Sequence, residues 1–175
     1  SNSSSYSMYS TDHGISWTKN ASTKMIDNDW RAITYSADKN IFVALSKTGS
    51  YNRAAWSSDG VSWSSGTTWL NSTYDRDWTS VVYGVGSDGV GRFVAISNGA
   101  VGRWRVMTSV DGKNWTSVDT ATPELDVSWE AITYGAGVFV AVSTGPGNRI
   151  ARSTNGISWT TMDAATDNTY SFIGV

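Results

Sequence analysis

The chain has 175 residues with a net charge of -2, and it contains 10 Trp, 8 Tyr, 17 Gly and no Cys. This length suits one domain with a sizeable core, and the 13% of aromatic and 16% of charged residues exclude a disordered, charge-rich segment. The charge predicts no nucleic-acid partner, the short apolar runs predict no membrane insertion, and the lack of cysteine excludes disulfides and thiolate sites.

Three phrases recur along the chain, and each is typical of a short β-strand or a tight turn. They are Trp-x-x-Ile/Val-x-Tyr, Phe-Val-Ala-x-Ser and a turn that ends in Trp; in chain order the copies occupy 10–17, 30–35, 42–46, 58–63, 78–83, 93–97, 109–115, 129–134, 139–143 and 153–159. Alternating apolar residues between Gly, Asn and Asp predict strands, and Asp-Gly or Asn-Gly predicts the hairpin turn between the last two strands of each unit.

The repeated unit of about 45–50 residues has the size of a β-propeller blade. The sequence therefore predicts an all-β fold, a β-propeller of four-stranded antiparallel blades, with about four blades and an incomplete terminal blade. A stacked β-sandwich is the alternative, but it would not explain the shared phrases. All tryptophans except Trp56, Trp69 and Trp104 occupy blade positions, so the aromatic excess is predicted to be mainly core.

The repeats predict one propeller domain or segment over 1–175, with full repeats at approximately 27–65, 75–117 and 126–161 and partial blades at 1–26 and 167–175. The end of the chain aligns with the first-strand phrase, and Tyr170 stands at the tryptophan position. We expect a longer polypeptide, a strand from another chain, or an incomplete fourth blade. An open sheet edge readily pairs with a neighbour, which favours a homo-oligomer or a larger assembly.

The turn at 10–17, Ser-x-Asp-x-Gly-x-x-Trp, resembles the Asp-box of bacterial-neuraminidase-type repeats. The other three turns are one residue shorter between Asp and Gly, and the last has Asn. The resemblance implies a structural turn whose Ser and Asp side chains bond the backbone, with Trp packed between strands; the matching positions are Asp12, Asp59, Asp111, Asn155, Trp17, Trp63, Trp115 and Trp159. It also implies an extracellular or surface-exposed protein that binds or acts on carbohydrate, without by itself implying sialidase activity. The repeats also look like those of bacteriophage structural proteins and bacterial surface proteins.

Alignment of the repeats reveals two rings of residues, which are expected on one face. The residues of the first ring stand three positions before each first-strand aromatic: Asp27, Asp75, Asp126 and Asp167. The residues of the second ring stand six positions before each turn Asp or Asn: Tyr6, Arg53, Arg105 and Arg149. The arginines are candidates for gripping an acidic glycan, as the arginine triad of sialidases does. The alternative, which the symmetry favours, is a structural ring in which Asp caps a turn or pairs with Arg on the same or the next blade.

Four aromatic residues lack counterparts in every repeat and are candidates for stacking on sugars or for a protein contact, or else for packing on their own blade: Trp69, Trp104, Tyr51 and Tyr74. A glycosidase would need a converging carboxylic acid pair, or a Tyr with a carboxylate partner, and Glu130 is one carboxylate that breaks the symmetry of the repeats. His13 lies within a turn. No catalytic residue and no cofactor is predicted. No metal site is predicted either, because the acidic clusters 27–29 and 75–77 lack the ligand spacing of a calcium loop.

These patterns predict a non-enzymatic module of the extracellular space, the cell surface or a virion, of the tail-fibre or adhesin type, that binds a glycan or protein receptor. One alternative is a purely structural, self-assembling subunit. A weaker alternative is a fragment of a sialidase-like glycoside hydrolase.

Overall fold

A computed structural model describes residues 6–24, 28–49, 53–68, 76–98, 105–118, 127–144 and 150–162, and the regular elements in these ranges are β-strands. The strands are β1 (Tyr6–Tyr9), β2 (Thr18–Lys24), β3 (Trp30–Ser36), β4 (Ile41–Ser46), β5 (Ala54–Ser57), β6 (Ser64–Ser65), β7 (Thr67–Thr68), β8 (Trp78–Val85), β9 (Gly91–Ser97), β10 (Val106–Ser109), β11 (Asn114–Val118), β12 (Trp129–Gly135), β13 (Val138–Ser143), β14 (Ile150–Ser153) and β15 (Thr160–Met162). Within these ranges no helix is long and apolar enough to cross a membrane.

The strands form four sheets, and the strands of each repeat lie side by side in chain order. Strands β3 to β6 form an antiparallel sheet that we call blade 1, β8 to β11 form blade 2, and β12 to β15 form blade 3. Strands β1 and β2 form a two-stranded sheet that we call the N-terminal hairpin. Blade 2 carries one extra strand, because β7 crosses from the preceding repeat and pairs in parallel with β11.

The three blades share one register between their second and third strands. The phenylalanine of the second strand always faces the serine that begins the turn: Phe42 opposite Ser57, Phe93 opposite Ser109, and Phe139 opposite Ser153. The first strand of each blade has an irregularity in its pairing directly after its tryptophan, which is typical of a β-bulge. The repeated phrases therefore specify equivalent positions in equivalent sheets.

Two apolar clusters join the blades, one at each junction. Because side chains alternate along a strand, the second strand of a blade faces both neighbours. Val43 and Leu45 of blade 1 pack in the same cluster as Trp78 and Phe93 of blade 2. The next junction repeats this arrangement, with Val94 and Ile96 of blade 2 packed with Trp129 and Phe139 of blade 3. Phe and Ala of the second strand thus face the preceding blade, and the two aliphatic residues face the following one.

The repeat tryptophans differ in burial, and the tryptophan of the N-terminal hairpin is the most exposed of those described. Trp78, Trp115 and Trp129 are at most 1% exposed, whereas Trp17 is 59% exposed. The other repeat tryptophans, Trp30, Trp63 and Trp159, are half-buried. Trp17 is therefore the exception to the prediction that these tryptophans are mainly core. In the described part of the chain β1 pairs only with β2, so no second strand stands beside it to bury this ring.

Candidate functional site

A side-chain network between serine and aspartate holds the turn of blade 2. Ser109 Oγ donates to Asp111 Oδ1 (3.0 Å) and accepts a hydrogen bond from the backbone N–H of Gly112 (2.8 Å). Asp111 Oδ1 in turn accepts from the backbone N–H groups of Lys113 (2.8 Å) and Asn114 (2.7 Å). The two side chains thereby satisfy turn amides that the sheet does not pair.

The other turns repeat this network with small differences. In blade 1 the serine is Ser57, which donates to Asp59 Oδ1 at 2.9 Å, rather than the adjacent Ser58 of the sequence phrase. In blade 3 the neutral amide oxygen of Asn155 accepts the two equivalent backbone bonds, at 2.9 and 2.8 Å. The turn of the N-terminal hairpin accommodates its extra residue, His13, with a positive φ of 59°.

Hydrogen bonds to the turn carboxylates lower their pKa values to about 2. The hydroxyl and then the backbone N–H of Ser16 lower the pKa of Asp12, and the backbone N–H of Ser62 has the largest effect on the pKa of Asp59. Burial raises the pKa of Asp111, but hydrogen bonds, chiefly from Asn114, outweigh it and bring this pKa also to about 2. These carboxylates stay ionised at neutral pH and are occupied by their own turns.

Arg53, a candidate ligand-binding residue, lies at the junction of blades 1 and 2. Its Nε donates to the carbonyl of Gly49 (2.9 Å), and Nη1 donates to the carbonyl of Arg76 (2.8 Å) and to Asp77 Oδ1 (3.0 Å). A further bond from Nη1 reaches the carbonyl of Lys47, and the side chain is only 12% exposed. Four acceptors from two blades therefore occupy this guanidinium.

Arg105, the second arginine of the predicted ring within the described residues, is 5% exposed, and its carbonyl accepts the backbone N–H of Ser97 at 3.0 Å. The remaining candidates lie outside the described residues: Arg149, Trp69, Trp104, Tyr51, Tyr74, Asp27, Asp75, Asp126 and Asp167. The structure brings Arg53 together with Asp77, which lies two positions beyond the predicted ring residue of that repeat.

Several other polar groups also join neighbouring blades. Glu130 Oε1 of blade 3 accepts hydrogen bonds from Asn98 of blade 2 and from the hydroxyl of Thr144. The Tyr83 hydroxyl donates to Asp38 across the junction of blades 1 and 2; burial and this hydrogen bond raise the pKa of Tyr83 to about 12. In the described ranges no group of three or more His, Asp or Glu residues is placed to hold a metal ion.

A groove with a volume of about 700 Å³ separates the N-terminal hairpin from blade 1. The hairpin contributes Met8 and Trp17, and blade 1 contributes Trp30, Ile33 and Phe42. Met8 is 56% exposed, Trp17 59% and Ile33 62%, so an apolar surface faces solvent there. The one sequence feature that points to this groove is the partial blade at 1–26. The alignment of repeats does not, however, show that the apolar face of blade 1 beside it is exposed.

No protein-family model and no curated protein matches the chain. Solved structures do match: virginiamycin B lyase from Staphylococcus aureus aligns with a TM-score of 0.59 and 17% identity over 83% of this chain and 44% of its own. A structure of YCF48 bound to D1 peptide aligns with a TM-score of 0.52 and 18% identity over 86% and 44%. The chain thus spans less than half the length of either. These likenesses confirm the predicted fold class, an all-β propeller built from four-stranded antiparallel blades.

Proposed function

We propose that the chain is a non-enzymatic β-propeller module that binds a protein partner, outside the cell or on a virion. The observation that carries this proposal is the apolar groove between the N-terminal hairpin and blade 1. Soluble proteins rarely expose a contiguous apolar patch without a partner for it, and aromatic side chains together with Met are enriched where proteins meet. Met8, Trp17 and Ile33 give the groove this composition.

The described arginines favour a protein partner over an acidic glycan. A glycan-gripping arginine needs free donors for a carboxylate or a sulfate. Arg53 instead donates to three carbonyls and one carboxylate, and Arg105 is 95% buried. Glycan binding therefore has less support than the sequence alone gave it. The Asp-box resemblance and the likeness to phage and surface-protein repeats support the extracellular or virion location.

Self-assembly is the second candidate function, because apolar side chains are exposed at both ends of the described blades. Met8 and Ile33 are exposed at the N-terminal end, and Ile157 (44%) and Met162 (43%) are exposed in the last blade. Contact between these ends of two copies would join propellers without any other partner. Sedimentation velocity distinguishes self-assembly from receptor binding. Self-assembly predicts oligomers whose size depends on protein concentration, whereas the receptor-binding role predicts a monomer.

Parallel screens of a random peptide library and a glycan array test the proposed function. We expect apolar peptides to be selected and glycans to give no signal. Ile33→Glu places a charge in the groove and is expected to abolish peptide binding. Val110→Glu is the matched control, because Val110 is similarly exposed (57%) and does not line the groove. Glycan binding without peptide binding, or equal peptide binding by both variants, would overturn the proposal.

A further inference from the structure

We propose that the groove accepts an extended β-strand of a partner protein, with the pattern Phe-aliphatic-Ala-aliphatic, hydrogen-bonded to the edge of β1 that no other described strand pairs with. This inference rests on the proposed function and names the class of partner. Strand addition supplies affinity through backbone hydrogen bonds and specificity through alternate side chains. By the register of the complete blades, the incoming Phe lies opposite Ser10, the first aliphatic residue opposite Tyr9, and Ala opposite Met8.

The turn glycines show where the side chains of such a strand belong. A Cβ atom added to Gly112 of blade 2 would lie 2.7 Å from Val43 Cγ2 of blade 1, and one added to Gly156 of blade 3 would lie 2.6 Å from Val94 Cγ2 of blade 2. Each turn glycine is thus covered by the second strand of the preceding blade. The nearest atom to a Cβ added at Gly60 of blade 1 is instead in its own blade, Phe42 Cε2 at 3.6 Å. Within the described residues, the corresponding position over Gly60 is therefore vacant.

The first strand of blade 1 supports the same conclusion through its exposure. Ile132 of blade 3 is 6% exposed and Val81 of blade 2 is 7% exposed, whereas the equivalent Ile33 of blade 1 is 62% exposed. Residue type does not explain this difference, because Ile33 and Ile132 are identical. What differs is the neighbour: the second strand of the preceding blade covers Val81 and Ile132, and no described strand covers Ile33.

The complete junctions also define the chemistry of the partner. The side chains that face the following blade from the second strand are aliphatic at both junctions, namely Val43 and Leu45, and Val94 and Ile96. A partner strand therefore needs an aliphatic side chain at each of two alternate positions in order to fill the groove. Between them a small residue suits the intervening position, where all three complete blades have alanine: Ala44, Ala95 and Ala141.

A phenylalanine ahead of these residues matches a second position, which no described residue of another strand fills. The Phe ring of each complete blade lies against the glycine of its own turn, at 3.6 Å for Gly60, 3.1 Å for Gly112 and 3.5 Å for Gly156 from the added Cβ. At Gly14 of the N-terminal hairpin the nearest atom is Trp17 Cζ2, at 3.9 Å. An incoming Phe opposite Ser10 would occupy this position and cover the exposed indole of Trp17.

Fluorescence anisotropy with a labelled peptide tests the proposal. The probe has the sequence of residues 137–144, Gly-Val-Phe-Val-Ala-Val-Ser-Thr, with a solubilising Lys-Lys tail. We expect saturable binding to monomeric protein, and binding about tenfold or more weaker for a peptide with Asp at the positions of Val140 and Val142. Ile33→Glu in the protein should weaken binding to a similar extent, and Val110→Glu should leave it unchanged.

Backbone methylation separates strand pairing from simple insertion of apolar side chains. In blade 1 the backbone N–H of Ser46 donates to the carbonyl of Arg53 (2.9 Å). Because the N–H groups of a strand point alternately to its two sides, the N–H of Ala44 also points to the third strand, whereas the N–H of Val43 points away from it. N-methylation at the alanine of the peptide should therefore abolish binding, and N-methylation at the preceding valine should be tolerated.

The outcomes distinguish this inference from the proposed function. Binding that is lost in Ile33→Glu but is insensitive to N-methylation at alanine would overturn strand addition while leaving a protein-binding groove. Equal binding of the wild-type and Asp-substituted peptides, or no peptide binding at all, would also overturn strand addition. If apolar peptides of every sequence failed to bind, the proposed function would fall as well.

Discussion

Nη1 of Arg53 lies 3.0 Å from Oδ1 of Asp77, and this pair joins blade 1 to the residue directly before the first strand of blade 2. The same guanidinium also bonds carbonyls on both sides of the junction, those of Gly49 and Arg76. A planar cation with several donors suits this position because one side chain satisfies acceptors from two blades at once. Arg53 therefore contributes to the geometry of the junction.

Replacement of Arg53 by alanine should destabilise the protein by about 2 kcal/mol, because it leaves half-buried carbonyl acceptors without a donor. Arg31→Ala is the matched control, since Arg31 forms an ion pair with Asp29 in which the side chains are 53% and 45% exposed. Exposed pairs of this kind contribute about 0–1 kcal/mol. Urea unfolding monitored by tryptophan fluorescence measures both values. Equal losses for the two variants would contradict the assigned role of Arg53.

Asp111→Asn should retain most of the stability that Asp111→Ala loses. Asn155 occupies the equivalent position in blade 3, where its amide oxygen accepts the backbone N–H groups of Ile157 and Ser158. An asparagine at position 111 can make the same two bonds, whereas alanine leaves the turn amides unpaired, at a cost of about 2 kcal/mol. Thermal unfolding of both variants at pH 7 tests this expectation, and a loss in Asp111→Asn as large as that in Asp111→Ala would contradict it.

The pKa values of the turn carboxylates predict acid sensitivity between about pH 4 and pH 2. Asp59 and Asp111 have folded-state pKa values of about 2, below the ordinary value of 3.8, so the unfolded state binds more protons in this range. The contribution of these two carboxylates to the free energy of unfolding is therefore present above the unfolded pKa of 3.8 and is lost as the pH falls toward 2.

The double variant Asp59→Asn/Asp111→Asn should flatten this pH dependence, because two of the depressed pKa values are removed. The measurement is the urea midpoint from pH 5 to pH 2 for the wild type and the double variant. Parallel curves for the two proteins would show that these carboxylates do not carry the acid sensitivity.

Gly112→Ala should cost about 3 kcal/mol, combining left-handed backbone strain with a steric clash. Gly112 has a φ of 71°, and its added Cβ would lie 2.6 Å from Ile41 Cδ1 of blade 1. Gly89→Ala isolates the backbone contribution, since Gly89 has a similar φ of 75° and open space around its Cβ position. We expect about 1 kcal/mol for Gly89→Ala in the same unfolding assay. If the two losses were equal, blade 1 would not cover the blade 2 turn.

The repeats made most of the fold predictable because each phrase has independent copies. Trp78 and Trp129 begin strands as predicted, and Phe42, Phe93 and Phe139 occupy one register position. The contacts of the candidate site were harder to predict from the sequence. The aligned arginines indicated a ring, but the acceptors of Arg53 include backbone carbonyls, which have no sequence signature. The exposure of Ile33 was not predictable for a similar reason, because it depends on which strand lies beside it.

The crossing of β7 to blade 2 means that the sheets are not independent modules. Thr67 and Thr68 pair in parallel with Asn114 and Trp115, so the chain that leaves blade 1 forms the outermost strand of the next sheet. Cutting the chain after residue 68 would therefore remove a strand of the blade 2 sheet rather than separate two units. A tandem array built from this protein would best be joined at a boundary that keeps residues 67–68 with blade 2, and tension applied along the chain there would reach two blades together.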